Sequence, residues 1–294
     1  MNRATAEVVL IRLGALLASM VIFGGFVRLA GADPFDVFYQ MYRGSFGTSF
    51  SVQNTLLRSA PLMLTALCTA IPARLGLMMI GGEGAMVVGG LAAMAGGLAM
   101  QSAPPFVVTA FMAVIGIAVG GAWVGLSGAM RAYRGVNETI SSLLLNYIAI
   151  AFLNFFVEGP MRDPLSLNKP STRAIPAADM LQAIPGLEVH WGLVFGVVAC
   201  IIANILMMRS TFGFGSAIAG GNLRAGQLCG LPVRRMMVIA SVLGGGAAGL
   251  AGMAEVAAVH GRANASLVTG YGYTGILVSF MARHEPLAII PVAV

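Results

Sequence analysis

Apolar runs about 20 residues long, each sufficient for one helical crossing of a bilayer, recur along this chain. They lie at 8–27, 54–73, 76–99, 105–128, 138–157, 190–208, 236–257 and 263–282, and another opens at Pro286. Hydrocarbon offers no water to a backbone N–H or C=O, so a spanning segment must be a helix or part of a closed barrel. The runs lack the in-out alternation of barrel strands, which selects helices. Composition agrees: 58% of residues are hydrophobic and 10% charged, with a mean hydropathy of +0.87, against roughly a quarter charged in a soluble domain. The expectation is an all-α membrane protein, a polytopic helical bundle forming a single transmembrane domain over 1–294. It would hold about eight spans plus a truncated one. The end at Val294, with no polar tail, predicts that the final helices lie beyond it.

The basic balance, with a pI near 9.7, does not describe a nucleic-acid face. Lys169 is the sole lysine, and the arginines stand singly between apolar runs, which is the pattern of membrane topology. The bilayer is therefore the expected partner and nucleic acid is not. Cys68, Cys200 and Cys229 have neither paired nor metal-type spacing, and no two histidines share a helix face at ligand spacing, so no metal or cofactor is expected. The first run is too long for a signal peptide and lacks a small-residue cleavage pattern, which predicts a retained span.

Loop charge sets the expected orientation. The stretch with Arg131 and Arg134, and that with Arg209, Arg224, Arg234 and Arg235, contain no acid, which places both inside. The segment 158–190 mixes Arg162, Lys169 and Arg173 with Glu158, Asp163, Asp179 and Glu188 and reads as an extracytoplasmic loop. Alternation then puts the amino terminus, with Arg3, in the cytoplasm.

Chemistry is sparse. Lys169 follows Asn168, so no glycine-rich phosphate loop with its lysine exists; ATP could act on this chain only through a separate ATPase. The cytoplasmic loop 209–235 carries a short helical stretch after Thr211-Phe212-Gly213-Phe214-Gly215, stopped by Gly230-Leu231-Pro232. It is either a docking element or a plain amphipathic connector. Glu83, among Gly81, Gly82 and Gly84, costs a few kcal/mol in hydrocarbon unless it faces water or a partner. It either lines or hinges a pathway at a helix break, or is a structural carboxylate paired to an arginine or to backbone amides.

A second interruption, Gly270-Tyr271-Gly272-Tyr273-Thr274-Gly275, falls where an inverted repeat places the counterpart of the first, so broken helices are expected in both halves. Its GxGxxG spelling has no preceding strand and is not a dinucleotide loop. Tyr271 and Tyr273 either stack on a solute or anchor at the interface. Asn146 and Asn154 either bond a solute or lock neighbouring helices, and Glu255 is similar. Gly116 and Gly120, Gly121 and Gly125, and Gly245 and Gly249 have the spacing of close helix contacts. The string Gly125-Leu126-Ser127-Gly128 with His260 spells a serine-protease pair, but the topology separates them by about 30 Å, a bilayer thickness; an enzyme is not expected.

Several segments in order carry a resemblance: 73–84 (Ala73-Arg74-Leu75-Gly76 through Gly84), Asn137-Glu138-Thr139-Ile140 with Leu145-Asn146-Tyr147, Gly159 to Pro164, Ala219-Gly220-Gly221-Asn222, and Arg283-His284-Glu285-Pro286. Together they resemble the permeases of the nucleoside and simple-sugar ABC importers, a group related to ribose and branched-chain amino-acid permeases. The resemblance implies an inner-membrane permease that passes a nucleoside or simple sugar by alternating access. Its implied partners are ABC ATPase subunits, a second homologous permease subunit and an extracytoplasmic substrate-binding protein. It implies an ATPase-coupling role for 209–235, carried by Gly213, Gly220, Gly221, Asn222, Arg224 and Gly230. The expected pathway residues are Glu83, Gly81, Gly82, Asn146, Tyr271 and Tyr273. The competing reading is a self-sufficient secondary carrier or channel for a small polar solute.

Overall fold

The computed structural model describes residues 3–166, 168–186 and 188–294, in two compact units, Met1–Thr55 and Leu56–Val294. In the first unit, the opening apolar run forms α1 (Arg3–Leu29), followed by α2 (Pro34–Phe46) and the start of α3 (Ser49–Ala73). The axes of Gly14–Leu29 and Pro34–Phe46 meet at 115°. Asp33 caps α2 by accepting the Phe35 N–H at 3.0 Å, and Pro34 fills the first helical position, where a missing N–H costs nothing. Phe23 and Phe38 close the corner edge-to-face at 5.7 Å. The apolar-run criterion passes over α2 because Asp36, Gln40 and Arg43 interrupt its aromatic residues.

The second unit continues α3 and adds α4 (Gly82–Ala99), α5 (Pro105–Arg134), α6 (Glu138–Glu158), α7 (Gly192–Arg209), α8 (Thr211–Gly221), α9 (Leu223–Leu228), α10 (Val233–Ala254), α11 (Tyr271–Met281) and α12 (Pro286–Ala293). Six helices across the described residues are long and apolar enough to cross a membrane, and up to eight spans result if each sharply bent pair is one. This agrees with the polytopic bundle of about eight spans. Two runs depart from regular helix in an informative way. The run at 76–99 opens as irregular backbone and becomes helical only at Gly82, and the run at 263–282 holds a single 3-10 turn, Ala265–Leu267, before its α-helix starts at Tyr271.

The centre of this unit is built from α4, α5 and α10, whose backbones approach through glycine. A Cβ on Gly89 would stand 2.5 Å from the Gly249 Cα, and one on Gly120 2.6 Å from the same atom. A Cβ on Gly249 would land on the Gly116 carbonyl. Lipid supplies no hydrophobic drive for helix pairing, so this close dispersion contact is what holds the three spans. The pairs Gly116 with Gly120 and Gly245 with Gly249 thus face one another, while Gly121 and Gly125 receive Val242. Buried side chains pack in two layers, one around Met63, Leu67, Leu77 and Met237 and one around Leu64, Met86, Met112 and Met253. Cys68 and Cys200 are buried and Cys229 is exposed, all as free thiols.

Beyond Ala254 the helix widens into a π turn, Glu255–His260, ended by Gly261 at φ +62°. The segment after α6 is stitched to this end: the amides of Leu181, Ile175 and Thr172 donate to the carbonyls of Ala257, Gly261 and Ala263, each at 2.9 Å. The π turn supplies a carbonyl, that of Ala257, that the neighbouring segment uses.

Candidate functional site: two helix breaks joined by Glu83

The first break follows α3. Gly76 turns the chain at φ +74°, and 77–81 then run without helix before α4. One face of α6 satisfies that unwound backbone. Glu138, Ser142 and Asn146 are four residues apart, so they line one side of the helix. Glu138 Oε1 lies 3.4 Å from the Met78 N–H, Ser142 Oγ accepts the Ile80 N–H at 3.0 Å, and Asn146 Oδ1 accepts the Gly84 N–H at 2.8 Å. In return Thr139 Oγ1 donates to the Met78 carbonyl at 2.8 Å and Asn146 Nδ2 to the Ile80 carbonyl at 2.9 Å. Each such bond matters because an unpaired buried amide or carbonyl costs about 1–3 kcal/mol. Glu138 is itself held by Arg131 at 3.2 Å.

The second break precedes α11, where Gly270 sits at φ +82°. The first amides of a helix have no partner within it and carry its positive dipole end. Here Glu83 supplies the partner. Its Oε1 accepts the Gly270 N–H at 2.8 Å and its Oε2 accepts the Gly272 N–H at 2.6 Å, with the side chain fully buried. Glycine at 272 is required by the closeness: a Cβ there would fall on the Glu83 backbone nitrogen and Cα. Thr65 Oγ1 lies 3.0 Å from the Tyr271 carbonyl, and Asn146 Nδ2 lies 3.4 Å from the Tyr273 hydroxyl.

The six expected pathway residues therefore converge on one place. Glu83 bonds the second break, Asn146 bonds the first and approaches Tyr273, and Gly82 passes within van der Waals range of the Gly272 Cα. Gly81 faces the Ser142 side chain. Tyr273 remains 38% exposed, which leaves its ring open to a neighbour. Asn154 is exposed on α6, away from this cluster. Of the two structural partners foreseen for Glu83, backbone amides are the ones present. Thr139 and Ser142 were not among the expected site residues, although their polar spacing with Glu138 and Asn146 on an apolar span was a readable signal.

Of the six residues expected to couple, Gly213, Gly220 and Gly221 lie on α8 and Arg224 on α9, while Asn222 joins the two helices and Gly230 follows α9. Ser210 caps α8 through the Gly213 N–H at 3.1 Å, and Asn222 caps α9 through the Arg224 and Ala225 amides at 3.0 and 3.1 Å. Gly213 packs on the Met207 carbonyl, and Gly230 ends the stretch at φ +79°. Gly220 presses on the Arg74 carbonyl, so a Cβ there would overlap it, whereas Gly221 faces open space. Arg224 is exposed. The protease spelling has no counterpart in space: Ser127 Oγ pairs with Ser141 Oγ at 2.6 Å, and His260 stands beside Glu255.

A bundle of apolar spans with two broken helices joined at their breaks is the architecture of a transport subunit. The family comparison is specific: residues 51–294 match the permease component of the branched-chain amino acid transport system, and the chain belongs to that family. It is 29% identical to the glucose ABC transporter permease protein TsgB13 of Haloferax volcanii, over 93% of this chain and 74% of the relative. It is 27% identical to the guanosine ABC transporter permease protein NupP of Bacillus subtilis, over 96% and 81%. It is 25% identical to the nucleoside ABC transporter permease protein NupB of Lactococcus lactis, over 99% and 82%. No solved structure gives a significant match. The chain is an ABC importer permease, a multi-pass inner-membrane transport component rather than an enzyme, and the family implies an ATPase and a substrate-binding protein as partners.

Proposed function

We propose that this permease passes a nucleoside or simple sugar inward by alternating access, with Glu83, Gly81, Gly82, Asn146, Tyr271 and Tyr273 at the moving centre of the pathway. The solute class follows the relatives named for glucose, guanosine and nucleosides. In this reading 158–190 is extracytoplasmic and 209–235 is the cytoplasmic loop that meets the ATPase. A second, homologous permease subunit completes the pore.

The observation that carries the mechanism is a continuous run of contacts. Gly220 of α8 bears on Arg74; the chain from Arg74 leads through the unwound 78–80 segment to Asn146; and Glu83, three residues further on, holds the start of α11. A push on α8 thereby reaches both breaks through rigid parts. The test is uptake of radiolabelled guanosine or glucose into vesicles. With the partner ATPase, the second permease and the binding protein present, uptake should require ATP. The chain alone should accumulate neither solute, and accumulation driven by a sodium or proton gradient would overturn the reading in favour of a secondary carrier.

A further inference from the structure

A second buried carboxylate sits in the same unit under opposite conditions. Glu255, 5% exposed, opens the π turn at the end of α10. Among the described residues its oxygens accept no hydrogen bond; its nearest cationic partner is His260 Nε2 at 3.7 Å, beyond hydrogen-bond reach. His260 Nε2 is buried and without a partner. The π turn creates this pairing, because i to i+5 spacing brings residue 260 over residue 255. Arg58 on α3, which is exposed, and Tyr271 at the start of α11 lie within electrostatic reach of the Glu255 carboxylate. Lys169, in the 158–190 segment, lies within electrostatic reach of His260. His190 lies at the same end: Gly192 separates its ring from Ala254, and its Nε2 is also buried without a partner.

Buried polar groups in a folded protein are almost always satisfied, so two imidazole nitrogens left open at this end, one of them beside a carboxylate that accepts no hydrogen bond, call for a ligand. An ionisable side chain held inside a span with so little bonding marks a solute path by the same reasoning. We propose that Glu255 is the contact for adjacent hydroxyls of the passing solute, its two oxygens accepting a vicinal pair while Arg58 and His260 donate to the solute from either side. The ligand class is a neutral polyhydroxylated molecule with a cis or vicinal diol. The inference rests on the nucleoside-or-sugar reading above and adds where, and through which functional group, the permease itself touches the solute.

The experiment uses the complete transporter in proteoliposomes with its ATPase, second permease and binding protein. Uptake of guanosine is compared with that of 2′-deoxyguanosine, with glucose as a second diol, for wild type and Glu255→Gln. Selection by the binding protein is common to both and cancels in the comparison. Loss of a hydrogen bond to a charged group predicts that Glu255→Gln lowers diol uptake about tenfold and leaves deoxy uptake within about twofold. Binding-protein-stimulated ATPase activity should persist. An unchanged ratio of diol to deoxy uptake in an active Glu255→Gln transporter overturns this inference and leaves the importer reading intact. Wild type that takes up neither diol under ATP overturns the nucleoside-or-sugar reading and this inference together. If Glu255→Gln does not assemble, Arg58→Gln decides: a raised KM for the diol alone supports the site, and equal KM changes for diol and deoxy solutes overturn it.

Discussion

Glu83 and Glu255 are both buried glutamates at the ends of apolar helices, and they are held in opposite ways. Glu83 is saturated, each oxygen taking a backbone amide from the start of α11. Among the described residues Glu255 is open, accepting no hydrogen bond and paired with an imidazole at 3.7 Å. A saturated carboxylate joins parts of the protein; an open one has capacity left for something else. The desolvation cost is similar for the two, so the difference in function lies in what has been arranged around each, and that arrangement is tertiary.

Variants can break this contrast at several strengths. Glu83→Ala leaves the buried Gly272 amide and the half-buried Gly270 amide without acceptors, and the expected loss is about 3 kcal/mol, read as a lowered melting temperature in detergent and poor recovery of assembled complex. Glu83→Gln keeps one acceptor oxygen, so uptake should fall more than stability; an unaltered uptake rate would remove Glu83 from the moving centre. Gly272→Ala attacks the same joint from the other side by pressing a methyl on the Glu83 backbone, with an expected cost of about 2 kcal/mol from overpacking. Asn146→Ala, which strips the Gly84 amide and Ile80 carbonyl of partners, should cost about 1–2 kcal/mol. Glu255→Gln lies at the far end of the scale: removing an unsaturated buried charge should leave melting within about 0.5 kcal/mol of wild type or raise it slightly. A melting loss as large as that of Glu83→Ala would erase the distinction between joint and open site.

A parallel contrast separates two neighbouring glycines on α8. Gly220→Leu should uncouple ATP hydrolysis from uptake, because the side chain would drive into Arg74, while Gly221→Ala, facing open space, should leave coupling unchanged. Both proteins should still insert in the membrane. Equal behaviour of the two would remove the α8 contact as the route of coupling.

Much of the architecture could be read in the sequence because lipid imposes a rule that depends on composition alone: every span must satisfy its own backbone, so runs of apolar residues become helices. The runs at 105–128 and 138–157 lie wholly within α5 and α6, and the glycine pairs of α5 and α10 meet as their spacing demands. The glycine clusters around Glu83 and at 270–275 marked the neighbourhood of both helix breaks, which lie just ahead of them: Gly82 and Tyr271 are already the first helical residues of α4 and α11. The amphipathic α2 escaped because mixed polarity gives no apolar run, and the loss of helix over 77–81 escaped because an unwound apolar backbone looks like a helical one until its hydrogen-bond partners are known.

The sequence thus determined that the chain crosses a membrane many times, that two of its helices break near glycine clusters, and that a carboxylate lies beside one of them. Only the tertiary structure decided which partner each polar group found. Glu83 and Gly272 are separated by 189 positions in sequence, and no periodicity or local propensity spans such an interval. The amides that saturate one glutamate, and their absence around the other, exist only once α4, α10 and α11 have packed.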